Sequence, residues 1–216
     1  MLAVPLPAEA KIIYTPANQV IDLNHPFALD LNHDGTNDFR FSVWYGSTPS
    51  FGYKALKVFG NQSGNSVRGY RGGRSGKGFF ASRLRFGARV GSKGQVPQGT
   101  MADQSFFNSR SKRSYRGPWA KAGSATTGYL GFRFVIKGKV HYGWARLKVT
   151  SQPQYPGETA LLTGYAYETV PNKPIIAGKN KGPDVTEVQP ASLGHLARGA
   201  SAISSWRVKP TSATTP

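Results

Sequence analysis

The chain has 216 residues, no cysteine and a formal net charge of +18, with 38% hydrophobic and 12% aromatic residues. That length and apolar content suit a single folded domain with tails, and the missing thiols exclude cysteine catalysis, disulfide staples and cysteine-based zinc sites. No apolar run approaches the roughly 18 to 20 residues needed to span a bilayer as a helix, so a soluble or surface-attached protein is expected.

At the front, residues 1–10 end in Ala8-Glu9-Ala10, a pattern of the kind signal peptidase cuts. They read either as the remnant of a signal peptide, with the mature chain starting near Lys11, or as a flexible lead. Export is the expectation taken from them. Residues 11 to 59 then read as short strands between turn signals: Lys11 to Thr15, Val20 to Leu23, Phe27 to Leu31, Phe39 to Tyr45 and Ala55 to Phe59.

Between the third and fourth of these lies Asp30-Leu31-Asn32-His33-Asp34-Gly35-Thr36-Asn37-Asp38, which sets oxygen side chains at alternate positions around a glycine. Ca²⁺ is a hard cation that takes about six to eight oxygens. Asp30, Asn32 and Asp34 would turn theirs inward, Gly35 would make the bend, Thr36 would offer its carbonyl and Asp38 would close the shell. Position twelve of the loop is Phe41 rather than a glutamate, and a strand follows, which argues against a helix-loop-helix sensor. The pattern is similar to the short calcium loops of extracellular bacterial β-proteins. The alternative is an Asx-rich turn without metal.

Past this loop the charge changes. From Phe39 to Gly157 the only acid is Asp103, although most of the 28 lysines and arginines lie there. A field of that sign draws polyanions, and it also serves plain solubility. Its densest part runs Val67-Arg68-Gly69-Tyr70-Arg71-Gly72-Gly73-Arg74-Ser75-Gly76-Lys77-Gly78, with Arg83 and Arg85 beyond. Arg68, Arg71, Arg74, Lys77, Arg83 and Arg85 are therefore candidate polyanion contacts, with Tyr70 as a stacking ring. The competing reading, which the shortness of the cluster favours, is a long solvated β-loop whose glycines permit turns.

The clearest strand signal comes next. Leu130, Phe132, Phe134 and Ile136 alternate on one face, Lys137-Gly138 offers a tight turn, and Val140 to Val149 returns as partner. Ala160 to Glu168 can add a third strand. Many short strands with Gly and Pro turns indicate an all-β domain, a β-sandwich or jelly-roll with long glycine-rich loops, over residues 11–170. Residues 171–216 read as linker and tail, with Ala191 to Trp206 as a short helix and disorder from Thr211.

Gly128-Tyr129-Leu130-Gly131-Phe132-Arg133-Phe134, His141-Tyr142-Gly143-Trp144-Ala145-Arg146 and Gly164-Tyr165-Ala166-Tyr167-Glu168-Thr169 together resemble the core of exported β-proteins of environmental bacteria, several of which end in a PEP-CTERM sorting segment. The tail from Gln189 to Ala200 is similar to the opening of such a segment. The resemblance covers about residues 128 to 207. It implies an exported β-protein at the bacterial surface and brings no activity with it.

Catalytic groups are sparse. Glu158 and Glu168 have no spacing that pairs them as glycosidase carboxylates, and no His-x-His or His-Glu-x-x-His pattern is present. His141 reads as a packed strand residue, and the serines lack a nucleophile-elbow context. The expectation is a non-enzymatic, secreted, calcium-stabilised β-domain with a structural or adhesive role, joining copies of itself through strand edges into oligomers or polymers. A second reading is a calcium-dependent carbohydrate-binding module using Trp44, Trp119 or Trp144, with Tyr45 and Tyr142, as sugar platforms. Under it the partner is an acidic polysaccharide or cell-surface glycan. A third is nucleic-acid or polyanion binding through the basic glycine-rich segment.

Overall fold

Alternation of buried and exposed side chains decides both the strands and the face each one buries. The computed structural model describes residues 11–72, 78–107, 112–152 and 157–181, with Lys112 as backbone only; all of these fall within one compact unit. The lead at 1–10 and the expected helix at 191–206 lie outside the described residues. Among those described there are strands and turns but no helix, so the protein is all-β.

In chain order the strands are β1 (Ile12–Ile21), β2 (Phe27–Leu29), β3 (Phe39–Ser47), β4 (Phe51–Gly60), β5 (Ser66–Gly72), β6 (Gly78–Ala81) and β7 (Arg89–Val90). They continue with β8 (Gln95–Val96), β9 (Gln98–Phe107), β10 (Lys112–Arg116), β11 (Ala125–Ile136), β12 (Lys139–Ser151), β13 (Glu158–Glu168) and β14 (Ile175–Ile176). Twelve of them form one continuous sheet ordered β1-β13-β12-β11-β5-β6-β9-β4-β3-β2, with β10 added to β9 and β8 to β5. The sheet doubles over on itself, and β1 returns close to β3, leaving it nearly closed.

The fold-over happens at β5. Its Val67 pairs with Phe132 of β11, whereas Gly69 to Gly72 pair with Ala81 to Gly78 of β6. Gly69 is required there, because a Cβ would stand 2.5 Å from the Phe80 carbonyl oxygen and 2.5 Å from Val96. The glycine-rich middle, expected as a solvated loop, thus supplies the strands that join the two halves of the sheet.

The core fills the space between those halves. Phe39 and Phe41 of β3 meet Phe132 of β11 at ring-centroid distances of 4.3 and 6.5 Å, with Leu56, Leu130, Phe134 and Leu147 buried around them. Tilted and edge-on ring pairs of this kind add to the burial of their area. The β11–β12 hairpin turns at Lys137 and Gly138, both with positive φ (48° and 78°), the backbone that a two-residue hairpin loop demands.

A second, smaller core lies on the outer face of β12 and β13. Tyr142, Trp144 and Ala166 are covered there by Val90 of β7 and Ile175 of β14, which pair with each other as a separate two-stranded sheet. The segment expected as a linker from Pro171 therefore folds back as a strap, and the Trp144 indole N–H donates to the Lys179 carbonyl at 3.1 Å.

Edges are blunted. β1 carries Pro16 and a register shift between Pro16 and Gln19, and β2 is only three residues long. Short, bulged or proline-bearing edges resist pairing with another chain.

Candidate functional site

The Asp30–Asp38 loop leads from β2 to β3 at the seam where β1 comes back toward the sheet's other end. Sequence dictates its shape through Gly35 (φ 87°) and His33 (φ 61°), whose positive φ values reverse the chain between Asp30 and Asp38. Asp30 accepts the Asp34 amide at 3.2 Å and the Gly35 amide at 2.7 Å. Asp34 accepts the Thr36 amide at 2.9 Å through Oδ1 and the Asn32 side-chain amide at 2.9 Å through Oδ2. Thr36 sits exposed at the exit of the turn.

Asp38 is the anchor. It is 4% exposed; Oδ2 accepts the Leu31 amide at 2.9 Å, and Oδ1 lies 3.3 Å from the Asn65 side-chain amide. Burial pushes its carboxyl up to about 6, and the charges of Asp34 and Asp30 push the same way. Asp34 is held below its ordinary value, first by the Asn32 side chain and then by the Thr36 amide. One oxygen has no use within the loop: Asn32 Oδ1 is buried and has no hydrogen-bond partner among the described residues.

Other elements grip this loop. His33 Nε2 lies 3.0 Å from Thr15 Oγ1 of β1 and 3.4 Å from the Tyr165 hydroxyl of β13. Asn65 donates to the Asp38 carbonyl at 3.1 Å and accepts the Val135 amide at 3.1 Å, tying the loop to β11. Among the described residues no three His, Asp or Glu side chains converge as a ready-made metal cluster. The hydrogen bonds give the reason, because Asp30 and Asp34 turn oxygens onto loop amides rather than toward one another.

The remaining candidates divide sharply. Trp119 is fully buried in the main core, donating its indole N–H to the Ala81 carbonyl at 3.1 Å, and Trp144 is 2% exposed beneath the strap. Neither can stack on a sugar, nor can buried Tyr142. The tryptophan at 44 is different: it is 52% exposed on the outer face of β3, and Tyr45 beside it is 51% exposed.

The basic candidates form no single patch. Arg68 is half-buried and donates to the Lys93 carbonyl, Arg83 donates to the Pro118 and Thr127 carbonyls at 3.1 and 3.3 Å, and Arg71 lies 5.8 Å over the Phe79 ring. Arg85 is exposed, and Arg74 and Lys77 lie outside the described residues.

Two features escaped the sequence reading. One is an outer-face groove of about 120 Å³ running across β4, β9 and β6, lined by Lys57, Phe59, Phe79, Gln98 and Thr100. The alternation of β4 could have placed Lys57 and Phe59 outward, but not opposite β6. The other is an interior polar cluster. Glu158 is fully buried, accepts the Ser151 hydroxyl at 2.7 Å and feels the charges of Asp103 and Lys54, both also buried. Burial foremost, then Asp103, raises the Glu158 carboxyl to about 7. The carboxyl has no exposure, and its described contacts are internal.

No family model, curated protein or solved structure matches the chain. Among the described residues no helix is long and apolar enough to cross a membrane.

Proposed function

We propose that the protein is a secreted, calcium-stabilised β-domain with a structural or adhesive role at the bacterial cell surface or in extracellular matrix, and that it binds rather than catalyses. The observation that carries this reading is the Asp30–Asp38 loop. Three carboxylates and a buried, unpartnered Asn32 oxygen share one turn at the seam of a nearly closed sheet. A bound Ca²⁺ would satisfy that oxygen and offset the repulsion from Asp34 and Asp30 that adds to burial in raising Asp38. Asp30, Asn32, Asp34 and Asp38, with the Thr36 carbonyl, are the residues that would hold it. Its effect would reach β1 through Thr15 and β13 through Tyr165, so metal and seam would be strengthened together. Extracellular calcium is millimolar, matching the weak affinity, on the order of 10⁻⁴ to 10⁻³ M, that such modules show.

Adhesion to another polymer is favoured over self-assembly by strand addition at the ends of the sheet order, because β1 and β2 are both poor templates for pairing. The test is thermal melting with calcium and with chelator. Calcium should raise the melting temperature of wild type and leave Asp34→Ala unmoved. An unchanged wild-type melt across millimolar calcium would remove the metal from the account, and finding native protein only in the cytosol would remove the surface role.

A further inference from the structure

The geometry points to a binding site for an acidic polysaccharide, one carrying carboxylate or sulfate groups along a sugar chain, in the outer-face groove of β4, β9 and β6 and on the β3 side chains that pair beside it. It rests on the adhesive reading above and gives that reading a site and a ligand class.

Strand register places the components. On β3, Arg40, Ser42 and Trp44 all point outward, and they pair with Phe59, Lys57 and Ala55 of β4. Lys57 and Phe59 pair in turn with Thr100 and Gln98 of β9, so one row of side chains crosses the strands. Successive outward residues on a strand stand roughly 7 Å apart, and neighbouring strands about 5 Å. The row therefore spreads cations over an area larger than one sugar ring.

Each cation is held by an aromatic ring. The Lys57 ammonium lies 5.1 Å over Trp44, the Arg40 guanidinium 5.2 Å over Phe59 and the Arg71 guanidinium 5.8 Å over Phe79. Trp44 is oriented by its indole N–H, which donates to Ser42 Oγ at 3.1 Å. Cations fixed this way lose less freedom on binding an anion than lysines and arginines that wave in solvent. No acid lines the groove, and Asp103, the sole acid between Phe39 and Gly157, is 2% exposed.

The same arrangement selects among polyanions. Single-stranded nucleic acid binds by stacking bases on open aromatic faces. Here each ring already presents a face to the protein's own cation. Beside the half-exposed Trp44 ring, the groove offers fixed positive charge with the neutral hydrogen-bonding side chains of Gln98 and Thr100 between, which suits carboxylates or sulfates alternating with hydroxyls.

The experiment uses the full chain and a fluorescently labelled oligogalacturonate, followed by anisotropy, with dextran sulfate, neutral dextran and oligo(dT) as competitors. Lys57→Ala and Arg40→Ala should each weaken oligogalacturonate binding about tenfold without moving the melting temperature. Lys148→Ala, which removes an equal charge at an exposed position of β12, should leave binding as it is. Should an alanine variant melt early, Lys57→Gln keeps most of the stem and should show the same loss. Dextran sulfate should compete and neutral dextran should not. Equal losses in Lys57→Ala and Lys148→Ala would overturn the site in favour of net charge alone, and tighter binding of oligo(dT) through Lys57 would overturn the ligand class. Absence of binding would overturn the inference outright. None of those three results would alter the wild-type calcium response, which tests the underlying reading separately.

Discussion

Replacing Glu158 by Gln gives the sharpest prediction, because burial of this carboxyl sets its sign and the raised titration sets its order of magnitude. In the folded protein this carboxyl is fully buried, accepts one hydrogen bond from Ser151 and titrates at about 7, against an ordinary value of 4.5. Between those two values the folded chain keeps a proton that the unfolded chain has released. Stability must then fall as pH rises through that window, by on the order of 3 kcal/mol in total. A glutamine of the same shape can still accept from Ser151 and never ionises. Glu158→Gln should therefore match wild type to within about 1 kcal/mol at pH 5. At pH 8.5 it should be more stable by on the order of 3 kcal/mol, equivalent to roughly 6 to 12 °C in melting temperature. Urea unfolding of both proteins at the two pH values measures the difference, and titration at groups uncoupled to Glu158, Asp38 for example, is common to both and cancels. A stability difference that stays constant between pH 5 and 8.5 would refute the reasoning, as would a variant less stable than wild type at both.

Further predictions concern packing and the loop. Trp119→Ala should cost about 3 to 5 kcal/mol in urea unfolding, since it empties a fully buried site and orphans the Ala81 carbonyl, whereas Trp44→Ala should stay within about 0.5 kcal/mol. Gly99→Ala should destabilise by about 1 to 3 kcal/mol, because its Cβ would lie 2.6 Å from the Ala81 backbone nitrogen and force β6 away from β9; circular dichroism melts would show it. Asn65→Ala removes bonds to the Asp38 carbonyl and the Val135 amide, and should lose about 2 kcal/mol together with much of the melting-temperature gain on adding calcium. A calcium response of full size in that variant would show that the loop does not depend on its anchor to β11.

Where the sequence is locally decisive, it reads well. Leu130, Phe132 and Phe134 lie fully buried on one face, and the turn falls at Lys137-Gly138, because period and turn chemistry are both written within the hairpin itself. The bounds of β1 and β4 were harder. β1 runs through Pro16 by means of a bulge on an edge strand, and β4 begins at Phe51 rather than Ala55. Cover supplied from far along the chain left no local mark. Trp144 has the same chemistry as Trp44, yet one lies beneath a strap from residues after Pro171 and the other faces solvent. The loop acids were legible as a group, but the hydrogen bonds that turn Asp30 and Asp34 onto backbone amides were not. The groove could not be seen either, since it needs β6 laid beside β9 by a single parallel bridge, Phe80 to Thr100.

The return of β1 to the far end of the sheet also governs how the chain can fold. Among the described strands β1 has one partner, β13, and the Lys11 amide donates to Thr169 Oγ1 across 158 residues of sequence. The first strand made is thus the one that must wait longest, until nearly all described residues have left the ribosome. Non-local closure of this kind is slow, since chain entropy is spent before the contacts that reward it exist. Until β13 arrives, β1 has no strand partner among the described residues, so closure of the sheet is expected as a late step of folding.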